Sequence, residues 1–258
     1  MTDVHPDTPR PRRSTAFWAL LLGAALLFAA FLALGAWQVQ RMAWKRDLIA
    51  RVDARLAAEP ARAPGADRWD AITKADDEYR RVVLTGTFDH SRETLVGAST
   101  ELGTGYWVLT PLRTVRGDWV LVNRGFVPPA FKARASRTAS ETQGEDRVVG
   151  LLRLTEPGGS LLRRNVPEQD RWYSRDVEAI AKARRVVEGP VAPYFVDAAV
   201  ADDHTRWPRG GLTVVRFADN HLQYALTWFA MAAMTAGVGV WLWRVERRRA
   251  TDPTAARD

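Results

Sequence analysis

"AFWALLLGAALLFAAFLALGAW", residues 16–37, decides the architecture of this chain. No charged residue occurs from residue 14 to residue 40. A helix needs ~20 mainly apolar residues to cross the hydrocarbon core of a bilayer, and this run is long enough. A second such run, "NHLQYALTWFAMAAMTAGVGVWLW", fills residues 220–243. Trp18 and Trp37 bracket the first run, and Tyr224, Trp241 and Trp243 flank the second. Aromatic residues at both ends match the interfacial belts of spanning helices. The basic "RPRR" at 10–13 and the small Gly35 and Ala36 would also suit a cleaved signal peptide. The apolar core exceeds the roughly 7–15 residues usual for one, so an uncleaved anchor is expected. Asp3 and Asp7 argue against a mitochondrial presequence.

The remaining composition is that of a polar body between apolar ends. Of 258 residues, 26% are charged, and the net charge is +7. Arg10, Arg12 and Arg13 before the first run, and Arg244, Arg247, Arg248 and Arg249 after the second, carry much of that excess. No nucleic-acid partner is therefore needed to explain it. Short basic segments stay on the cytoplasmic side, whereas long loops translocate largely regardless of charge. The expected layout is a cytoplasmic tail (1–15), transmembrane helix 1 (16–37), a periplasmic β-rich domain opening with an amphipathic helix (38–219), transmembrane helix 2 (220–243) and a second cytoplasmic tail (244–258). The absence of cysteine excludes disulfides, thiol catalysis and cysteine-bound metal.

Within the body, Trp37, Met42, Trp44, Leu48, Ile49, Val52 and Leu56 recur at roughly helical spacing up to a break at residues 60–65. β-Branched runs follow: "YRRVVLTGTFD" interrupted by Gly86, "ETLVGAS", "GYWVLTPLRT", "GDWVLVNRGFVP" and "DRVVGLLRL". The third and fourth of these predict a hairpin turning at residues 115–118. Pro128 and Pro129 end it, and "AFKARASRTASETQGED" is a polar connector. "SRDVEAIAKA" predicts a helix capped by Ser174. "PYFVDAAV" and "LTVVRF" predict late strands. The expected fold is membrane α+β, with two transmembrane helices flanking an antiparallel β-rich, barrel-like extracytoplasmic domain.

No G-x-S-x-G elbow, P-loop, dinucleotide-binding glycine pattern or H-E-x-x-H occurs. No enzyme is expected. "DHSRE" places Asp89, His90 and Glu93 close enough to ligate a metal, but a polar turn between strands is the expected reading. "DDH" at Asp202, Asp203 and His204 reads as a solvated loop. On the second apolar run, His221, Tyr224, Ala225, Trp228, Ala232, Thr235 and Gly239 follow helical steps of three and four. Neutral imidazole is a common axial ligand of haem iron, and aromatic neighbours can cover a macrocycle. Spacing alone favours His221 as an interfacial residue, with Tyr224 and Trp228 as belt or packing aromatics. Arg124 could pair with an acidic group of the body, or hold a foreign carboxylate such as a haem propionate.

Six stretches taken together carry a resemblance. They are "LGAWQVQRMAWK", "FDHSRETLVGASTELGTGYWVLTPL", "GDWVLVNRGFVP", "WYSRD", "PYFVDA" and "GGLTVVRFADNHLQYALTWF". In this order, with two terminal apolar runs, the chain resembles the Surfeit-locus-one (Shy-type) family of cytochrome c oxidase assembly proteins. The resemblance implies a two-span protein of the bacterial inner (plasma) membrane that assists maturation of haem–copper oxidase, chiefly of cytochrome c oxidase subunit I. It further implies haem a binding through the histidine of the second span, which matches His221. Tyr224 and Trp228, on the same stripe, are the neighbouring contacts expected from their position. The haem a synthase is a further expected partner. A non-haem scaffold for assembly intermediates is the alternative, followed by a membrane-anchored periplasmic enzyme. Two departures stand out. Phe126 replaces a frequent tryptophan, and Asp219 sits beside His221 where the family has asparagine. An adjacent carboxylate could protonate the imidazole or orient it.

Overall fold

A computed structural model describes residues 15–160, 162–200, 205–213 and 220–251. Asp202, Asp203, His204 and Asp219 lie outside these residues, as does most of the strand expected from "LTVVRF". The chain divides into two compact units, residues 1–49 with 217–258, and residues 50–216.

The first unit contains two long helices. Helix α1 (Thr15–Ala57) and helix α4 (His221–Thr251) are long and apolar enough to cross a membrane. Their large apolar side chains point outward: Leu22 is 62% exposed, Leu26 63%, Leu226 62% and Met234 64%. A water-soluble unit would hide such a surface, whereas lipid tails accept it. The faces that meet are small: Ala225 and Ala232 are buried, and a Cβ added to Gly35 would lie 2.5 Å from the Phe229 ring. Helix α1 continues without a break through the predicted amphipathic stretch. In the second unit its end buries Val52, and Arg55 donates to the carbonyl of Glu78 at 3.1 Å.

The second unit is a barrel. Its strands are β1 (Ala61–Arg62), β2 (Arg81–Phe88), β3 (Thr94–Thr100), β4 (Gly103–Thr114), β5 (Trp119–Val127), β6 (Glu145–Leu154), β7 (Gly159–Ser160), β8 (Arg163–Arg164) and β9 (Val191–Ala198). The large sheet runs β1-β2-β6-β9-β5-β4-β3, and a further β2–β4 pairing closes β2-β6-β9-β5-β4 on itself. The length of β4 makes closure possible: its first half pairs with β3, and its last residues pair with β2. The predicted hairpin is β4–β5. The sheet departs from the expected antiparallel pattern at the short β1–β2 pair and at β5–β9, which are parallel. Strand β9 arrives by a long connection through helix α3 (Val177–Ala183), which is what a parallel neighbour requires.

Period-2 patterning sorts the side chains. Val82, Leu84, Leu112, Val120, Val122, Leu152, Tyr194 and Val196 fill the barrel. Leu121, Leu109 and Phe195 alternate with them on the outside, where α3 covers them with Val177 and Ile180. Strand β5 is thus apolar on both faces. Helix α3 is capped by Asp176, whose Oδ1 accepts from the Ala179 amide at 3.1 Å, not by Ser174 as expected. The helix starts at Val177, so its amides lie beyond reach of Ser174, which instead donates to the Glu156 carbonyl. Short 3-10 turns at Lys74–Asp77's neighbour Ala66–Ala71 and within the polar connector complete the barrel ends, with Lys74–Asp77 itself forming helix α2.

Closure depends on Gly86. A Cβ there would sit 2.1 Å from the Arg113 carbonyl oxygen across the β2–β4 seam. Gly86→Val is expected to destabilise the body by about 3 kcal/mol or more, because the backbone itself must yield. A drop in the urea midpoint, followed by tryptophan fluorescence, checks this.

Candidate functional site

In the helix pair, the sequence places His221 at the start of α4, where charge gives way to apolar residues. The structure brings to it a residue 183 positions away: Gln38 Oε1 of α1 lies 2.8 Å from His221 Nδ1. Gln38 Oε1 accepts from Nδ1–H, so in the neutral ring the lone pair lies on Nε2. This is the arrangement by which ligating histidines are oriented, through a hydrogen bond from the other ring nitrogen. Farther along, Trp228 stacks on Phe31 of α1, with centroids 5.8 Å apart and planes at 27°. Tyr224 is 54% exposed and faces away from α1. Open apolar grooves run on either side of the pair. One, of 330 Å³, is bounded by Ala24, Phe28, Ala236 and Gly239; the other, of 520 Å³, by Gly23, Phe31, Met231 and Met234. Among the described residues no group of three or more side chains could hold a metal ion. Haem iron needs only one or two protein ligands, so a lone histidine between apolar helices fits it.

The body has two polar centres. Around Asp197 of β9, which is 2% exposed, four side chains converge. Arg153 Nη1 lies 3.0 Å from Oδ2 and Arg175 Nη1 3.1 Å from Oδ1, while Asn123 donates to Oδ1 at 2.7 Å and Thr213 to Oδ2 at 2.9 Å. Glu156 pairs with Arg175 at 2.5 Å, and Glu78 lies 3.5 Å from Arg153 Nε. Burial alone would lower the Arg175 guanidinium, but Asp197 and Glu156 outweigh it and hold Arg175 above its ordinary value. Burial likewise opposes the charge on Glu156, and Arg175 overcomes it to hold that carboxyl below the usual range. No spacing in the sequence announces this cluster; its members are scattered over four of the quoted stretches, with Asn123 in "GDWVLVNRGFVP", Arg175 in "WYSRD", Asp197 in "PYFVDA" and Thr213 in "GGLTVVRFADNHLQYALTWF".

The second centre contains the residues of "DHSRE". They form a 3-10 turn, His90–Arg92, and do not converge. Asp89 accepts from the Ser91 amide, and Glu93 forms a forked pair with buried Arg137 at 2.6 and 3.1 Å. His90 stacks on Phe88 and lies 3.3 Å from the Thr142 carbonyl through Nε2. Its Nδ1 lies 3.4 Å from Arg124 Nη1. An arginine can only donate, so Nδ1 accepts and the proton sits on Nε2. Burial, then the Arg124 charge, push the imidazole below its ordinary 6.5. The unfolded chain therefore takes up this proton first, and His90 contributes stability above pH 6.5 that is lost as pH falls towards its lowered folded value. His90→Gln, which keeps one donor and one acceptor, is expected to flatten the fall of melting temperature with acidification between pH 7 and pH 5. An unchanged slope would assign that acid sensitivity to other groups.

A closed five-strand barrel inserted in sequence between two long apolar helices, one opening on a histidine, defines a helix-anchored barrel protein. The chain belongs to the SURF1 family, whose model matches residues 25–233. It is 36% identical to Surfeit locus protein 1 of Homo sapiens over 238 residues, covering 85% of this chain and 74% of the relative. It is 36% identical to Surfeit locus protein 1 of Mus musculus (90% and 76% covered). It is 35% identical to a SURF1-like protein of Monosiga brevicollis (88% and 87% covered).

Proposed function

We propose that this protein is an assembly factor for haem–copper cytochrome c oxidase, and that it holds haem a as cargo for subunit I. The observation that carries the reading is His221, oriented by Gln38, between two apolar helices of a SURF1-family chain. In this reading both helices span the inner membrane of a bacterium. The basic tails lie in the cytoplasm and the barrel in the periplasm, as the arginines at 10–13 and 244–249 favour.

His221 supplies one axial nitrogen, and Gln38 fixes the tautomer that offers it. The apolar helix surfaces exclude water and accept an apolar macrocycle and its tail, with Phe31 and Trp228 as the aromatic boundary. The barrel, tied together by the Asp197 cluster, serves as a rigid docking body for subunit I or the haem a synthase. Nothing in this scheme makes or breaks a covalent bond, so the protein acts as a carrier and not as an enzyme.

The hydrogen bond that orients His221 also favours a second reading. A polar pair across two spanning helices is itself a tie, worth ~0.6 kcal/mol or more. The protein would then be a scaffold without haem. Purification in detergent from cells that make haem a, followed by a reduced-minus-oxidised spectrum, separates the two. A haem a signal with the purified chain is expected. Its absence, in a chain that still restores oxidase assembly to a deletion strain, leaves the scaffold.

A further inference from the structure

Arg124 stands apart from other largely buried arginines of the barrel unit. Arg137, Arg153 and Arg175 each face a carboxylate within ion-pair distance. Arg124 faces none within 4.0 Å among the described residues. Its Nη2 donates to the carbonyl and hydroxyl oxygens of Ser140, its Nη1 points at His90 Nδ1, and its guanidinium lies 5.6 Å from the Phe88 ring centroid. Of the two roles open to Arg124 in the sequence, the described residues of the body do not supply the acidic partner. Burial pushes the guanidinium below its ordinary value, which the more distant charge of Glu93 only partly offsets. A desolvated cation without a counter-charge costs free energy that an arriving anion would recover.

The residue lines an open cavity of 780 Å³, within the size range of small-molecule sites. Its rim adds the exposed Arg147. Of the two acidic groups lining the cavity among the described residues, Glu141 is already held by Arg134 in a forked pair at 2.7 and 2.8 Å. Asp146, bonded to Thr142, works against an anion but is outnumbered. Apolar lining comes from Phe88, beside the guanidinium, and from Val122 and Val148. A fork of donors beside an apolar lining suits a planar oxyanion carried on an apolar body.

We propose that this cavity is a binding site for a small organic carboxylate with an apolar body, its carboxylate held by Arg124 and its body against Phe88, Val122 and Val148. The site belongs to the barrel and is independent of His221.

The probe is phenylacetate, titrated by calorimetry into the full chain in detergent, with neutral 2-phenylethanol and inorganic phosphate in parallel. Phenylacetate is expected to bind, to weaken with added salt, and to bind about tenfold more weakly to Arg124→Gln, as loss of a charged hydrogen bond implies. Phenylethanol and phosphate are each expected to bind more weakly than phenylacetate. Failure of phenylacetate to bind the wild type overturns the proposal, and so does equal binding of phenylethanol. Equal binding of phosphate overturns the apolar half of the assignment. If Arg124→Gln does not fold, exposed Arg147→Gln decides. A two- to threefold loss of affinity, about 0.5 kcal/mol, supports the site, and unchanged affinity overturns it.

Discussion

His221→Ala is expected to remove haem a from the purified protein while leaving its fold in place. The side chain lies at the first turn of α4 and is hydrogen-bonded to Gln38. Losing that bond costs at most about 1–2 kcal/mol of helix association. In the proposed reading His221 would be a ligand of the haem iron, so its loss would remove the bond that fixes the cargo. The reduced-minus-oxidised signal should fall to background, and the circular dichroism spectrum should not change. Gln38→Leu refines the test. It leaves the imidazole but frees its orientation, and loss of such a supporting partner typically weakens metal binding about 10–100-fold. A weakened, shifted haem spectrum in Gln38→Leu, with none in His221→Ala, is the expected pair. Full haem content in His221→Ala would remove this histidine from the site altogether.

Asp197→Ala should be the most destabilising single change in the barrel. Two arginines, an asparagine and a threonine end on this one carboxylate, and it is 2% exposed. Its removal leaves Arg153 and Arg175 with only Glu78 and Glu156 at the edge of the cluster. Removing one partner of a buried ion pair costs about 3–5 kcal/mol. For a unit of this size that is a fall in melting temperature of roughly 10 °C. Asp197→Asn keeps the shape and part of the hydrogen bonding, so it should fall between wild type and alanine. Thermal unfolding followed by near-ultraviolet circular dichroism, which the tryptophans of the body make strong, reads all three. A loss under about 1 kcal/mol in the alanine variant would mean that Glu156 and Glu78 alone neutralise both arginines.

Both sites show where local pattern stops. Arg124 illustrates it best. Its place at the end of a β-branched run is visible in the sequence, and so are two possible roles. Only the barrel shows that, among the described residues, Ser140 and His90 meet it and no carboxylate does. For Ser174 the pattern misled by two positions, because a serine, an arginine and an aspartate stand in a row and any of the polar pair could begin a helix. Tyr224 and Trp228 share helical steps with His221, yet Trp228 packs on Phe31 while Tyr224 faces outward.

His221 became the candidate centre only through the resemblance of six stretches to a known family. By itself, the sequence determined the two apolar helices, the strands between them and the β4–β5 hairpin. These follow from hydropathy and period, which act over a few neighbouring residues. The tertiary structure decided the closure of β2 on β4, the parallel β5–β9 rung, the Asp197 cluster and the partnership of His221 with Gln38. Each of these joins residues far apart in the chain. Whether they meet depends on how strands twist and helices pack once their apolar faces are buried, and local pattern does not record that.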